Sequence, residues 1–246
     1  IAIDQEGGEV NRLNIKYGFP DFPSWQEIGK NNDINFTENY SKKLGELLND
    51  LNINLNFAPV LDIDGGKSSF IAKQGRALSS DILKITHHSR VFIEQLQNKG
   101  VICCGKHFPG QGSASADTHA GATDITNTWS EKELEPYNDL IKSKHLDAII
   151  IAHTFHNNFD NEFPASMSRK TITDLLRVKM GFSGIVICDD PSMKAISAHY
   201  DLKTTLKHML NAGVDMFILG NNLEYDPNLI PNAVHCLREL VSEGEI

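Results

Sequence analysis

The feature that most narrows what this chain can fold into is the regular alternation of two patterns along it. Short apolar runs, rich in β-branched residues, recur at 1–3, 55–61, 101–104, 148–152, 185–188 and 216–219. Continuous runs of this kind suit strands of a parallel sheet covered on both faces. Between them lie helical patterns. Leu44, Leu47, Leu48 and Leu51 fall at i, i+3, i+4 and i+7 and make one apolar stripe. Ser130-Glu131-Lys132-Glu133 has the form of a capping box opening a helix. Gly100 and Gly181 follow helical stretches, where a C′ glycine is expected. Six βα units follow one another without a linker or a low-complexity segment, which leaves an open doubly wound sheet or a barrel.

The ends of the apolar runs choose between the two. Nearly every run closes on polar residues: Asp4, Asp62, Lys106 with His107, His153, Asp189 with Asp190, and Asn221 with Asn222. An open sheet builds its site at one switch point and needs only a few equipped strand ends. A barrel collects all its strand ends on one face. The expectation is therefore an α/β fold of the (β/α)8 TIM type, a single domain over residues 1–246. Six of about eight strands are visible. The opening on Ile1-Ala2-Ile3-Asp4 and the close just after a helical pattern suggest that the first βα unit and the C-terminal end lie outside the sequence.

Composition removes several function classes. Lys and Arg total 23 against 32 Asp and Glu, a formal net charge of −9. Nucleic acid and anionic lipid both demand a basic face, so neither is an expected partner. No apolar run has the length of a membrane span. Cys103, Cys104, Cys188 and Cys236 lie in apolar or helical context without a disulfide framework or CxxC spacing, which fits a reducing, cytoplasmic compartment.

Two segments carry chemistry. In Lys106-His107-Phe108-Pro109-Gly110-Gln111-Gly112 a charged pair closes a strand, and Pro and Gly then start a long loop holding Asp117-Thr118-His119. Such a loop can bring an acid or base to a substrate held by a rigid scaffold, although a turn that merely contains a histidine would read the same. In the second, Asp189 and Asp190 follow the run at 185–188. Side chains alternate along a strand, so one carboxylate should face the mouth of the fold while the other caps or braces the loop. Asp4-Gln5-Glu6-Gly7-Gly8 and Gln74-Gly75-Arg76, taken singly, read as structural turns with a buried ion pair. Gly110-x-Gly112 is too short for a phosphate loop. His107, His119, His153 and Asp189 do not form a metal motif of the His-x-His or His-Glu-x-x-His kind, so neither metal nor cofactor is expected. His87, His88 and His208 sit on helical stretches as packed or solvated side chains.

Taken in order, these residues resemble glycoside hydrolase family 3. The matching segments are Asp-Gln-Glu-Gly-Gly at 4–8, Asn56-Phe57-Ala58-Pro59-Val60, Lys-His-Phe-Pro-Gly at 106–110, Asp117-Thr118-His119, Ala152-His153, Pro164-Ala165, Asp189-Asp190 and Asn211-Ala212-Gly213-Val214-Asp215. Lys-His-Phe-Pro-Gly with Asp-x-His close behind is similar to the β-N-acetylglucosaminidase branch. The resemblance implies a retaining exo-glycosidase acting on a small carbohydrate, terminal β-linked N-acetylglucosamine of peptidoglycan or chitin fragments. It implies Asp189 as nucleophile, His119 as general acid/base and Asp117 as the partner that orients it. Asp4, Arg76, Lys106 and His107 would bind the hydroxyls of the reacting sugar, and His153 would line the same pocket. A phosphorylase using the same residues and a sugar-binding barrel without catalysis are the alternatives. Glu9, Gln111 and Pro191 stand where the family pattern usually has Arg, His and Leu, a departure in the loops rather than in the proposed reacting groups.

Overall fold

The computed structural model describes residues 1–116, 121–221 and 225–246. The chain divides into two compact units, one of residues 1–115 with 128–150, the other of residues 116–127 with 151–246.

The first unit holds strands β1 (Ala2–Ile3), β2 (Leu55–Asn56) and β3 (Ile102–Phe108), and most of β4 (Ala148–Ile151). β1 pairs in parallel with β2, Ala2 opposite Leu55, and β2 in parallel with β3, Leu55 opposite Ile102. The strands lie in chain order, β1-β2-β3-β4. Helices α1 (Trp25–Asn31) and α2 (Ile34–Asp50) connect β1 to β2, α3 (Ile82–Gln97) connects β2 to β3, and α4 (Glu135–Lys142) precedes β4. This is the βα succession anticipated from the apolar runs.

Packing explains the helices. α2 lies along α3, and Leu44 and Leu48 of α2 are buried with Ile85, Phe92, Ile93 and Leu96 of α3. Trp25 meets Phe92 edge-on at 5.5 Å between ring centroids, and its indole N–H donates to the Val60 carbonyl at 2.9 Å. Full burial of each such aliphatic side chain contributes about 1.5–3 kcal/mol. Leu51, counted in the stripe, is 38% exposed, because it caps the C-terminus of α2 rather than continuing it.

Two expectations need correction. The run at 55–61 is a strand only at Leu55–Asn56. Pro59 has no N–H to give a ladder, and beyond it Val60 forms an isolated bridge to Lys106. The second concerns Ser130–Glu133. Ser130 does cap the short 3-10 turn Glu131–Leu134 by accepting from the Lys132 N–H. Glu133, however, is buried and accepts from the Gly112 N–H at 2.9 Å instead of reaching back to Ser130. A capping box with both hydrogen bonds is formed at Ser24 and Glu27, at the start of α1.

The second unit holds β5 (Ile185–Cys188) and β6 (Met216–Phe217), parallel with Ile187 opposite Met216. A π-type helix, Lys170–Lys179, precedes β5. Helix α5 (Leu202–Ala212) joins β5 to β6, and α6 (Leu229–Glu243) follows. Leu206 of α5 packs with Ala233 and Leu240 of α6, joined by Phe217 and Leu219. Gly213 ends α5 at φ +108°, a conformation that favours glycine. Among the described residues no helix is long and apolar enough to cross a membrane.

Candidate active site

In the first unit the strand ends bring together residues far apart in the chain. Lys106 and His107 are buried just before the end of β3, Asp4 follows β1, and Glu6 is buried two residues further on. Lys106 Nζ contacts Asp4 Oδ1 and Glu6 Oε1, each at 2.5 Å. Arg76 grips Glu6 at two points, Nε to Oε2 at 2.9 Å and Nη2 to Oε1 at 2.8 Å. Burial by itself would raise the Glu6 carboxyl, but the Lys106 and Arg76 charges overcome it and hold it down to about 2. Burial likewise works against the Lys106 ammonium, and the Asp4 and Glu6 charges outweigh it and raise its pKa.

His107 is held from both sides. Nδ1 lies 2.6 Å from Asp62 Oδ2 and Nε2 lies 3.1 Å from Arg76 Nη2. A guanidinium has no acceptor, so Nε2 accepts from Arg76 and Nδ1–H donates to Asp62, which sets the tautomer. Asp62 also accepts backbone N–H groups, from Gln111 at 2.8 Å and His107 at 3.3 Å. The four expected sugar-binding residues of this unit, Asp4, Arg76, Lys106 and His107, are thus joined in one network through Glu6 and Asp62. The Asp4 carboxylate is its more open member, with a third of its side chain exposed. A carboxylate accepts from a sugar hydroxyl and an ammonium donates to one, so the cluster has both halves of a hydroxyl-binding set. Among the described residues no group of three or more His, Cys, Asp or Glu is placed to hold a metal ion.

In the second unit Asp189 follows β5, and its N–H donates to the Ile151 carbonyl at 3.1 Å. Asp190 is buried and braces the loop: Oδ1 accepts from the Ser192 N–H at 2.9 Å and Oδ2 from the Gly220 N–H at 3.0 Å. Asp189 is partly exposed, and its Oδ1 accepts the Asp190 N–H at 2.9 Å. Of the two carboxylates, Asp190 is thus the one that braces the backbone, as alternation along the strand required of one of them. His153 is buried, its Nε2 3.0 Å from the Asp190 carbonyl oxygen and its Nδ1 2.8 Å from Ser166 Oγ. The carbonyl can only accept, so Nε2–H donates to it and Nδ1 accepts from the Ser166 hydroxyl. His153 therefore supports the backbone beside Asp189.

Asn221 spends its side chain on the Asp226 backbone, donating to the carbonyl and accepting from the N–H, each at 2.8 Å. Asp117, His119 and Asn222 lie outside the described residues. Of the departures noted, Glu9 is exposed, while Gln111 and Pro191 are buried. Glu6, Asp62, Asp190, Ser166 and Glu133 were not singled out as site residues. For Glu6 a signal existed, since a lysine at the end of a buried strand requires counter-charge, and the carboxylate two residues from Asp4 could supply it.

Parallel βα units with carboxylates and cations gathered at the strand ends define an α/β protein of the barrel type. A family model described as Glycosyl hydrolase family 3 N terminal domain matches residues 1–246, and the chain belongs to that family. The Beta-hexosaminidase of Tolumonas auensis is 35% identical over 227 residues, 90% of this chain and 66% of the relative. The Beta-hexosaminidase of Haemophilus influenzae is 33% identical over 231 residues, 91% of this chain and 64% of that one. Among solved structures, the beta-N-acetylglucosaminidase from Thermotoga maritima superposes with a TM-score of 0.83 at 32% identity, covering 100% of this chain and 51% of its own. A glycoside hydrolase family 3 beta-N-acetylglucosaminidase from a Paenibacillus species does so with a TM-score of 0.88 at 28% identity, covering 100% and 46%. The chain thus spans just under two thirds of the two sequence relatives and about half of these two solved chains. The TIM-like α/β fold expected from the equipped strand ends is the fold of this family domain.

Proposed function

We propose that this chain carries the site of a retaining exo-β-N-acetylglucosaminidase, removing terminal β-linked N-acetylglucosamine from fragments of peptidoglycan or chitin. The observation that carries the reading is the division of labour at the end of β5. Asp190 commits one carboxylate oxygen to the Ser192 N–H of its own loop and the other to the Gly220 N–H beyond β6, so the partly exposed Asp189 is the carboxylate suited to attack. In a retaining mechanism a carboxylate displaces the leaving group at the anomeric carbon, and water then releases the covalent glycosyl intermediate. Asp189 takes the first role. His119 protonates the leaving oxygen and, neutral afterwards, accepts a proton from the incoming water. With an unperturbed pKa of about 6.5, a histidine needs only a small upward bias to be charged near neutrality, and Asp117 supplies it.

Asp4, Lys106, His107 and Arg76 bind the sugar hydroxyls in this reading. Their network supports it, because Asp4 and Lys106 offer an acceptor and donors whose geometry is set by Glu6 and Arg76. His153 acts through Asp190, holding the backbone next to the nucleophile.

The test is to assay the full-length protein on an aryl β-N-acetylglucosaminide and an aryl β-glucoside side by side, with and without phosphate. Preference for the first, with free N-acetylglucosamine as product, is the expected outcome. Preference for the glucoside would overturn the substrate assignment, and a sugar phosphate as the main product would make the enzyme a phosphorylase. No cleavage of either would leave a sugar-binding barrel.

A further inference from the structure

We propose that Glu133 is a positioning residue for this reaction, fixing the root of the segment that runs on to Asp117 and His119. The proposal rests on the functional reading above, in which those two residues transfer the proton.

The segment 107–113 is held by two buried carboxylates from different elements. Asp62, in the stretch following β2, takes the His107 imidazole and the N–H groups of His107 and Gln111. Glu133, in the turn before α4, takes the Gly112 N–H at 2.9 Å, and the Ser113 backbone N–H also hydrogen-bonds it. The backbone is pressed against both sides. A Cβ on Gly110, which has φ +118°, would lie 2.5 Å from Glu133 Cβ, and a Cβ on Gly112 would lie 2.1 Å from the Ile63 carbonyl oxygen. Gly110 therefore packs directly on the Glu133 side chain and Gly112 on the Ile63 backbone, and a side chain at either position would clash.

A buried acceptor that satisfies backbone N–H groups in this way leaves them unpaired when it is removed, and the segment must shift to find other partners. Four residues separate Gly112 from Asp117 in between, so a shift at the root carries into the placement of the proton-transfer pair. A misplacement of about 1 Å is enough to cost on the order of 10²-fold in rate.

Charge adds a second signature. Burial pushes the Glu133 carboxyl up to about 7 and the Asp62 charge acts in the same direction, while the Ser113 hydroxyl and then the amides of Gly112 and Ser113 oppose them. The other ionisable group packed near it is Tyr137 of α4, whose hydroxyl is raised chiefly by burial and in part by Asp62 and Glu133.

The experiment compares the full-length protein with Glu133→Gln and Glu133→Ala on N-acetylglucosaminides carrying a nitrophenyl group or a natural sugar as leaving group. Glutamine keeps a carbonyl acceptor for Gly112, so Glu133→Gln should retain activity within a few-fold, and its pH profile should keep the inflection due to His119 but lose the additional one expected from Glu133 near 7. Glu133→Ala should lose on the order of 10–100-fold in kcat on the sugar leaving group and far less on nitrophenyl, with KM little changed. Equal losses on both substrates, or none, would overturn the proposal. Hydrogen exchange is measured on the same proteins, and amides of residues 111–113 should exchange faster in Glu133→Ala and stay protected in Glu133→Gln. Unchanged exchange in Glu133→Ala would also overturn it. Should the parent cleave neither substrate, the functional reading fails, and exchange alone still decides whether Glu133 holds the segment. Thermal melts of both variants identify a loss that comes from misfolding, and in that case the glutamine variant decides.

Discussion

The Arg76 guanidinium and the Glu6 carboxylate, 70 residues apart in sequence, form a two-point ion pair with contacts of 2.9 and 2.8 Å. Both side chains are largely withdrawn from solvent, 11% and 3% exposed, and Lys106 leans on the same carboxylate. Removing Glu6 would leave two buried cations facing each other. Breaking a buried pair from one side costs about 3–5 kcal/mol, so Glu6→Gln should lower the urea midpoint and melting temperature clearly at neutral pH. The sign of the pH effect follows from the depressed carboxyl. Its stabilisation is complete above the unfolded value near 4.5 and is lost as pH falls towards about 2. The gap between parent and Glu6→Gln should therefore narrow in acid titrations below pH 4.5, and a constant gap would show that Glu6 is not ionised in the fold.

Asp189→Asn should abolish turnover and leave the melting temperature near that of the parent, because an amide cannot form the covalent glycosyl intermediate. Its neighbour behaves differently. Asp190→Asn turns one of the two oxygens that accept the Ser192 and Gly220 N–H groups into a donor, so it should lower stability as well as rate. Mass spectrometry with a slow fluorosugar substrate should label Asp189 in the parent, and labelling of Asp190 instead would reverse the assignment.

His119→Ala should hurt most where the leaving group needs a proton. Cleavage of a natural sugar aglycone should fall by about 10²–10⁴-fold, the usual cost of losing a general acid. A nitrophenyl group departs without help, so the intermediate should accumulate as a burst, and azide, needing no deprotonation, should restore turnover as a glycosyl azide of retained configuration. Asp117→Ala should show a milder form of the same pattern. Equal losses on both leaving groups without azide rescue would remove His119 from this role.

His88 gives a stability prediction away from the reacting groups. It is buried between α2 and α3, with Nδ1 2.7 Å from Thr37 Oγ1 and Nε2 3.3 Å from Asn32 Oδ1. Burial lowers its pKa, the His87 and Lys84 charges add to this, and Asp33 opposes them. A depressed histidine contributes stability that is complete above the unfolded value of about 6.5 and is lost as pH falls below it. Urea midpoints at pH 7.5 and 5.5 should therefore differ more in the parent than in His88→Gln. Identical pH dependence in the two would exclude the mechanism.

Much of this protein was already legible in its residues. The type and order of the βα units follow from periodicity, because a buried parallel strand and an amphipathic helix impose different spacings on apolar side chains. That one of Asp189 and Asp190 would brace the loop follows from strand alternation, whereas which of them does so was decided by the fold. The reading of Glu6 and Arg76 as turns around a buried ion pair was likewise available locally, although nothing local named the two as each other's partners. Tertiary structure decided that pairing, and it also brought Asp4 to Lys106, 102 residues away, because parallel strands joined by helices align residues that no short-range pattern links. It turned Glu133 from a helix cap into a buried acceptor, since the unpaired Gly112 amide competed for it and won. It gave both nitrogens of His153 to Ser166 and Asp190, and it cut the strand after Asn56 short of Pro59. Local propensity sets which elements form, but the satisfaction of buried charges and amides is settled among neighbours that only the folded chain supplies.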